Sequence, residues 1–468
     1  MSATTLSPRA ARKARRLGAD YIPPSPYTLK NALTKGDVWT KLSILVFGLG
    51  NIMRKQIVKG LLLFAGEVLF ILFMIFSGAY NLSMLPSLGD REQVQVKDAD
   101  GFLHFEAGDN SVVLLLYGVA TIAICLVFVA WWVMSIRSAY KAQCEAKTEG
   151  HASTLVDDLK ALLNQRASAT LMFLPILGIL TFTVLPLIFM ISMAFTNYDH
   201  NHLVLFDWDG FAAFKEVFFN SSSTVNGKLF LSVLSWTLVW AFFATFLNFF
   251  FGLFLAMILN RRTTRGKNVW RAIFSMSIAV PQFVSLLVMS QMLQPDGAIN
   301  RLLKNWGLIE TSLPFLTDAT WARVTVIIVN LWVGIPYTIM QVTGILQNIP
   351  VDLYEAARID GANWWQTFTK ITMPYIFFVL TPYLITTFTG NVNNFNVIFL
   401  LTKGDPTPTD ASAGKTDLLI TWLYKLTVDK NDYNLGAVIG ILTFIVLAIV
   451  SLITYRSSGS YKNEEGFR

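Results

Sequence analysis

The segment from Pro350 to Pro374 reads PVDLYEAARIDGANWWQTFTKITMP and forms a polar stretch between two long apolar segments. We expect Asp352 to cap a short helix, with Glu355 three residues later completing a pattern like a capping box. Gly361 adopts positive φ at little cost and should end this helix. Helices below about 12–15 residues are marginal in water, so this one is expected to rest on a partner surface.

The composition is that of an integral membrane protein. Of the 468 residues, 54% are hydrophobic and 14% are charged, and the mean hydropathy is +0.51. The net charge of +7 comes from basic residues that flank apolar segments, so we expect membrane topology signals and no nucleic-acid partner. Cys125 lies in an apolar span and Cys144 in a polar segment, which argues against a disulfide. We expect neither a metal site nor a cofactor.

Apolar stretches of about 20 residues or more, long enough to cross a bilayer, predict an all-α protein with about eight transmembrane helices. They lie near residues 57–78, 112–136, 169–196, 229–259, 272–293, 322–347, 375–401 and 434–455. The run 43–53 is too short to cross and is expected to be interfacial or re-entrant. Pro281 in the fifth span and Pro336 in the sixth predict local breaks, and the second break would turn Trp332 inward.

The distribution of Lys and Arg predicts the orientation. These residues are concentrated in the segments that place both termini and the Glu355 segment in the cytoplasm. The basic first fifty residues lack a signal-peptide pattern, so the amino terminus should stay inside. We divide the chain into an amino-terminal part with the basic tail, two accessory spans and an amphipathic connector, a six-span transport unit with the cytoplasmic loop, and a cytoplasmic tail. These parts cover residues 1–168, 169–455 with the loop at 348–374, and 456–468.

The spans offer little that could titrate. Away from their ends they contain a single Asp, Glu, Lys, Arg or His, which is Glu67. Ion-coupled carriers usually keep ionisable groups in the bundle to bind the coupling ion. The chain also lacks a nucleotide-binding loop: residues 413–416 read AGKT, but position 409 is Thr where such a loop needs its first Gly. Either another chain supplies ATP chemistry, or the protein is a passive pore.

Two spans carry polar residues at helical spacing. In the seventh, Thr387, Asn391 and Asn394 fall at i, i+4 and i+7, with Gly390 beside them. In the sixth, Asn330, Gly334, Tyr337 and Gln341 recur on one face, near Trp332. Polar side chains within a span are costly unless they face protein or a wet cavity. They either bind a neutral, hydroxyl-rich ligand such as a sugar or form hydrogen bonds between helices.

Four stretches carry a family resemblance. They are Asn330–Tyr337, Ile349–Pro374, Asn391–Phe395 and Leu400–Pro406. In order and spacing they resemble the MalF-type permease subunit of maltose and maltodextrin ABC importers, from about residue 169 to 455. The resemblance implies a type I importer core of the MetI/MalF-like kind. Two departures are a glycine at position 390, where the enterobacterial pattern has an aromatic, and a short 198–228 loop in place of an extracytoplasmic domain.

The resemblance also implies site residues. The cytoplasmic segment corresponds to the family's EAA coupling loop, in which the ATPase-coupling positions are Glu355, Ala356, Ala357, Asp360 and Gly361. The positions that would contact the sugar are Trp332, Gly334, Tyr337, Thr387, Gly390, Asn391 and Asn394.

We therefore expect a permease subunit of an ATP-driven oligosaccharide importer, with maltose or maltodextrins as the substrate, rather than an enzyme. The expected partners are a second permease subunit, two cytoplasmic ATP-binding subunits, an extracellular sugar-binding protein, the sugar and a bacterial cell membrane. Two alternatives stay open at this point. One is a secondary sugar carrier, against which the nearly charge-free bundle argues, and the other is a membrane anchor for an ATPase that moves no solute.

Overall fold

Long apolar helices dominate the part of the chain that the computed structural model describes, residues 26–97, 103–220, 224–261 and 264–457. Seven helices in these ranges are long and apolar enough to cross a membrane: Ile57–Met84, Ser111–Glu149, Ala167–Met193, Gly227–Asn260, Ala319–Asn348, Trp364–Leu401 and Tyr433–Arg456. The fifth of the eight predicted spans is a pair of helices, Lys267–Ala279 and Gln282–Met292, bent by 88°. The basic amino-terminal tail, Arg262 and the carboxyl-terminal tail lie outside the described residues.

The chain forms two compact units, residues 1–190 with 204–207 and residues 191–203 with 208–468. The first contains α1 Leu29–Lys35, α2 Val38–Leu42, α3 Leu49–Ile52, α4 Ile57–Phe73, α5 Ala79–Met84, β1 Val94–Lys97, β2 Leu103–Glu106, α6 Ser111–Glu149, α7 Leu155–Leu163, α8 Ala167–Ile179 and the start of α9 Leu185–Met193. Single π-helical turns, Met74–Gly78 and Leu180–Val184, connect α4 to α5 and α8 to α9. Strands β1 and β2 pair antiparallel, with Val94 opposite Glu106. Helix α9, in the third predicted span, thus crosses the division between the units.

The second unit contains the remaining helices. They are α10 Ala212–Phe219, α11 Gly227–Asn260, α12 Lys267–Ala279, α13 Gln282–Met292, α14 Ala298–Asn305, α15 Ala319–Asn348, α16 Val351–Ile359, α17 Trp364–Thr367, α18 Met373–Val392, α19 Phe395–Leu401, α20 Leu419–Tyr424 and α21 Tyr433–Ser457. Two π-helical turns lie at Phe368–Thr372 and Lys425–Asp429. Helix α11 packs against both α15 and α18, so it forms the centre of this unit.

Glu67 holds the short run 43–53 in place. Its carboxylate accepts the backbone N–H of Phe47 at 2.8 Å, and the hydroxyl of Ser135 accepts that of Gly48 at 3.0 Å. Gly48 has φ of +72°, and a Cβ there would lie 2.3 Å from the carbonyl oxygen of Gly60. Because α2 and α3 are each under six residues, the run cannot cross a bilayer, as predicted. The Glu67 carboxylate and the Ser135 hydroxyl therefore each satisfy one backbone donor of a segment that forms no long helix.

The connector contains the predicted amphipathic helix. In α7 the Thr154 hydroxyl accepts the N–H of Asp157, and the Asp157 carboxylate accepts the N–H of Thr154 at 2.9 Å. This reciprocal capping box satisfies two backbone donors at the helix start. None of the α7 side chains is fully buried, as expected of a helix that lies on a surface.

The two proline predictions have opposite outcomes. The chain breaks at Pro281, which begins α13, so that prediction is confirmed. The predicted break at Pro336 is wrong, because α15 continues through this buried proline. Gly334 and Thr338 on either side of it pack against α11, and the Thr338 hydroxyl donates to the Gly334 carbonyl at 3.2 Å. Membrane helices tolerate an internal proline where neighbouring helices and hydroxyl groups pack around it.

The seventh span breaks where a continuous helix was predicted. Helix α18 ends at Val392, and the Asn394 side chain accepts the N–H of Val397 at 3.2 Å to cap α19. Asn394 therefore lies outside the regular helical face that carries Thr387 and Asn391. The amide groups that suggested a ligand-binding stripe also supply the cap that divides the span, because Asn is a preferred N-cap residue.

Candidate functional site

The loop that was predicted to be cytoplasmic is a helical elbow between α15 and α18. Asp352 does not cap α16 as predicted: the helix begins at Val351, after Pro350, and Asp352 lies in its first turn. This position still favours an acidic residue, because the amino-terminal end of a helix is electropositive. Gly361 has φ of +74° and ends the helix, as predicted.

The elbow then turns back into the membrane. The Asn363 side chain accepts the N–H of Gln366 at 2.9 Å, and the Gln366 side chain accepts the N–H of Asn363 at 2.8 Å. This capping box starts α17. At the base of the elbow, the Tyr354 hydroxyl lies 3.1 Å from that of Thr372, which ties α16 to the following helical segment. The elbow is therefore held at its base and turned by defined caps.

Helix α16 presents apolar side chains to its surroundings. None of its residues is buried, and Ile359 is 85% exposed. Leu353 and Trp365 are also exposed, as are the predicted coupling residues Glu355, Ala356, Asp360 and Gly361, whereas Ala357 is partly buried. These exposed apolar side chains are available for contact with another protein.

A cavity of about 730 Å³ lies behind this elbow. Its walls combine the ends of α11 and α15 with α16 and the start of α17. Glu355, Arg358 and Arg261 supply charged side chains, and Trp364 supplies an aromatic wall. A movement of α16 would change the shape of this cavity, because α16 forms one of its sides.

The asparagines of the seventh span join three elements. The Asn391 amide donates to the Thr245 hydroxyl of α11 at 3.0 Å, and the Trp240 indole donates to the Asn391 carbonyl at 3.0 Å. The Asn394 amide lies 3.4 Å from the Asn391 side-chain oxygen. Asn391 is buried and Asn394 partly exposed. Asn391 therefore holds α18 against α11, while Asn394 keeps an exposed portion that a ligand can reach.

The other predicted site residues lie in different surroundings. Trp332 and Tyr337 expose 56% and 48% of their surface, and Gly390 is exposed with open space where a Cβ would stand. Thr387 is partly buried. Gly334 instead faces α11, since a Cβ there would lie 2.2 Å from the Asn248 amide nitrogen. Gly334 thus permits the close approach of α15 to α11.

Asn248 and Thr245 belong to the polar centre of the second unit, although neither is among the predicted site residues. Asn248 donates to the Ala244 carbonyl at 2.7 Å, but its side-chain oxygen has no hydrogen-bond partner within the described residues. The buried Asn330 amide nitrogen is likewise unpartnered there. The available signal was a face of small and polar residues on the fourth span, typical of membrane helix contacts. It consists of Ala241, Ala244, Thr245, Asn248, Gly252 and Ala256.

Comparison with known proteins places this architecture in a family. Residues 248–459 match the family described as binding-protein-dependent transport system inner membrane component. The chain is 34% identical to the galactooligosaccharides transport system permease protein GanP of Bacillus subtilis, with 89% of this chain and 96% of GanP covered. It is 32% identical to the maltodextrin transport system permease protein MdxF of the same organism, with 93% and 99% covered.

A solved structure supports the fold. A chain of a bacterial alginate ABC transporter, crystallised with an alginate pentasaccharide-bound periplasmic protein, aligns with a TM-score of 0.52. It is 22% identical, and the alignment covers 63% of this chain and 94% of that one. The predicted permease fold is therefore confirmed. The chain belongs to the binding-protein-dependent transport system inner-membrane components, and it is a multi-pass membrane permease subunit of an importer that works with a substrate-binding protein.

Proposed function

We propose that this chain forms half of the oligosaccharide pathway in an ATP-driven importer. Helix α16 couples ATP hydrolysis to the conformational change of that pathway. The observation that carries the proposal is the set of exposed apolar side chains on this short helix. The helix lies between two spans and ends at a glycine with positive φ. Such a helix gains stability by seating on another protein. We infer that the other protein is one of two ATP-binding subunits on the cytoplasmic side.

The orientation follows from this assignment. Lys and Arg are concentrated in the segments that place α16 and both termini in the cytoplasm. The sugar-binding protein then delivers its ligand from the opposite side, and a second permease subunit completes the pathway. We keep residues 169–455 as the transport unit and 1–168 as accessory, although the compact units divide near residue 190.

An oligosaccharide fits the polar groups of α15, α18 and α19. Asn394 has an exposed portion that a ligand can reach. Trp332 and Tyr337 offer exposed aromatic faces. Neutral amides and aromatic rings suit a neutral, hydroxyl-rich ligand. The relatives named for maltodextrin and galactooligosaccharides are about equally similar to this chain, and we propose maltodextrins as the substrate with galactooligosaccharides as the second candidate.

Changing the elbow should uncouple transport. We expect Gly361→Val, which strains a residue at φ of +74°, and Glu355→Lys each to lower ATP-driven sugar uptake severalfold in vesicles that contain the complete importer. Sugar delivery by the binding protein should be unchanged. Uptake and ATP hydrolysis are measured on the same vesicles.

Matched controls separate coupling from general damage. Gly307→Val introduces the same strain at φ of +67° in another loop, and Glu310→Lys makes the same charge change at an exposed site, and both should transport as the parent does. Elbow variants with parental transport and hydrolysis would remove α16 from the coupling path. Uptake driven by an ion gradient without ATP would identify a secondary carrier. If the parent takes up no sugar and the elbow variants lose ATPase docking, the protein is an anchor.

Gly390 tests where the sugar passes. We expect Gly390→Phe to shift preference toward short linear sugars by roughly two- to tenfold, because a ring adds a stacking contact and narrows the open space. Competition between a disaccharide and longer or branched oligosaccharides measures the shift. Gly178→Phe, also in open space but in the first unit, is the control. An unchanged preference would place Gly390 outside the pathway.

A further inference from the structure

A second cavity, of about 550 Å³, lies in the first unit and has no part in the proposed transport mechanism. It is enclosed by the start of α4, the second half of α6 and the residue that precedes α8. Its lining has a basic part, made of Lys59, Arg137, Lys141 and Arg166, and an apolar part, made of Leu62, Leu63, Ala130, Trp131, Val133 and Met134.

Two of the four basic side chains are already neutralised. Lys59 pairs with Asp158 at 2.9 Å, and Lys141 pairs with Glu145 at 3.1 Å. Among the residues that the structure describes, Arg137 donates only to an uncharged acceptor, the Tyr27 carbonyl, at 2.8 Å. Arg166 has no ion pair within the described residues. The cavity therefore keeps two positive charges, on Arg137 and Arg166, that attract an anion.

The apolar part continues from the basic part into the spans. Leu62 follows Lys59 by one helical turn and is 63% exposed, and Met134 precedes Arg137 by one turn and is 47% exposed. The Trp131 indole donates to the Leu63 carbonyl at 3.2 Å, which fixes the wall between α4 and α6. A soluble anion would make no contact with this apolar wall, and a lipid without net charge would leave the two arginines without a counterion.

We propose that this cavity binds one anionic phospholipid of the phosphatidylglycerol type. Arg137 and Arg166 contact the phosphate, and the upper part of an acyl chain lies along Leu62 and Met134. Basic pockets at the membrane interface recognise anionic headgroups, and each Lys or Arg near the surface contributes separately to the attraction. The three helix ends that meet here are the ones that the orientation proposed above places at the cytoplasmic leaflet, but the binding itself does not depend on that orientation.

Native mass spectrometry of the full chain, released from detergent with phosphatidylglycerol or phosphatidylcholine, tests the site. We expect one phosphatidylglycerol to remain bound and phosphatidylcholine to be lost. The double variant Arg137→Gln with Arg166→Gln should bind phosphatidylglycerol about 25-fold more weakly, or roughly fivefold for each charge. The variant Arg137→Lys with Arg166→Lys should recover most of the binding.

Two further variants make the test specific. Lys30→Gln with Lys41→Gln removes two exposed charges of the same unit outside the cavity and should bind as the parent does. Met134→Trp fills the apolar part and should weaken lipid binding severalfold with both arginines present. The proposal fails if the Arg137→Gln with Arg166→Gln variant keeps its lipid, or if the Lys30→Gln with Lys41→Gln control loses as much lipid as that variant does. It fails also if phosphatidylcholine binds as tightly as phosphatidylglycerol. It also fails if glycerol phosphate alone displaces the lipid and Met134→Trp has no effect, since the site would then hold a soluble phosphate.

Discussion

Replacing Asp417 by Ala is expected to destabilise the second unit by about 3–5 kcal/mol, because it breaks a buried ion pair and leaves one charge behind. The Asp417 side chain is fully buried and accepts from Lys425 at 2.7 Å, and Lys425 itself is only 16% exposed. Burial raises the pKa of the Asp417 carboxyl, and the ammonium of Lys425 opposes that rise. Each member of the pair therefore depends on the other.

Asp417 also organises the loop that precedes α20. It accepts the N–H of Gly414 at 2.6 Å and the hydroxyl of Thr421 at 2.8 Å. Gly404, at φ of +86°, leaves room for the carboxylate, since a Cβ there would lie 2.0 Å from it. In the AGKT stretch, residues 413–416, which resembles the end of a nucleotide-binding loop, the Gly414 N–H thus donates to Asp417 within the fold.

Thermal unfolding of the purified chain measures the effect. Asp410→Ala, an exposed acid of the same loop, is the matched control and should unfold as the parent does. Combining Asp417→Ala with Lys425→Met removes both charges and should recover part of the lost stability. A single Asp417→Ala variant as stable as the Asp410→Ala control would show that the pair does not hold the loop.

Replacing Gly252 by Ala should also destabilise the second unit, by up to about 2 kcal/mol. A Cβ at this position would lie 2.5 Å from Cβ and 2.6 Å from Cγ2 of Thr338, and the Thr338 Cβ cannot move without the α15 backbone. Overpacking a close contact of this kind typically costs 1–3 kcal/mol. Helix propensity acts in the opposite direction, because Ala is favoured over Gly by about 1 kcal/mol in a helix.

The sign of the effect distinguishes packing from propensity. Gly344→Ala, on α15 in open space, should be neutral or slightly stabilising. The double variant Gly252→Ala with Thr338→Gly adds a methyl group on α11 and removes the facing side chain on α15. It should therefore recover assembly in the membrane. Yields of folded chain and unfolding midpoints are compared for all three. If Gly252→Ala behaves like Gly344→Ala, α11 and α15 do not need this close approach.

The elbow was predictable because its signals are local. Gly361 needs no tertiary contact to favour positive φ, and the polar composition of 350–374 separates it from the spans on either side. The capping role of Asp352 was not predicted correctly, because the helix begins at Val351, directly after Pro350, and not at Leu353. The assignment of sugar contacts to Trp332, Gly390 and Asn394 stays a prediction, and Gly334 already has a packing role against Asn248.

The sequence by itself determined which segments enter the membrane, that the chain breaks at Pro281, and where the elbow turns. Each depends on the transfer free energy or backbone preference of residues that are neighbours in the chain. Only the tertiary structure decided that α15 continues as one helix through Pro336 and that Glu67 supports the Phe47 backbone. Backbone groups inside a membrane need partners, and here the groups that pack around Pro336 and Phe47 lie on segments that are distant in sequence.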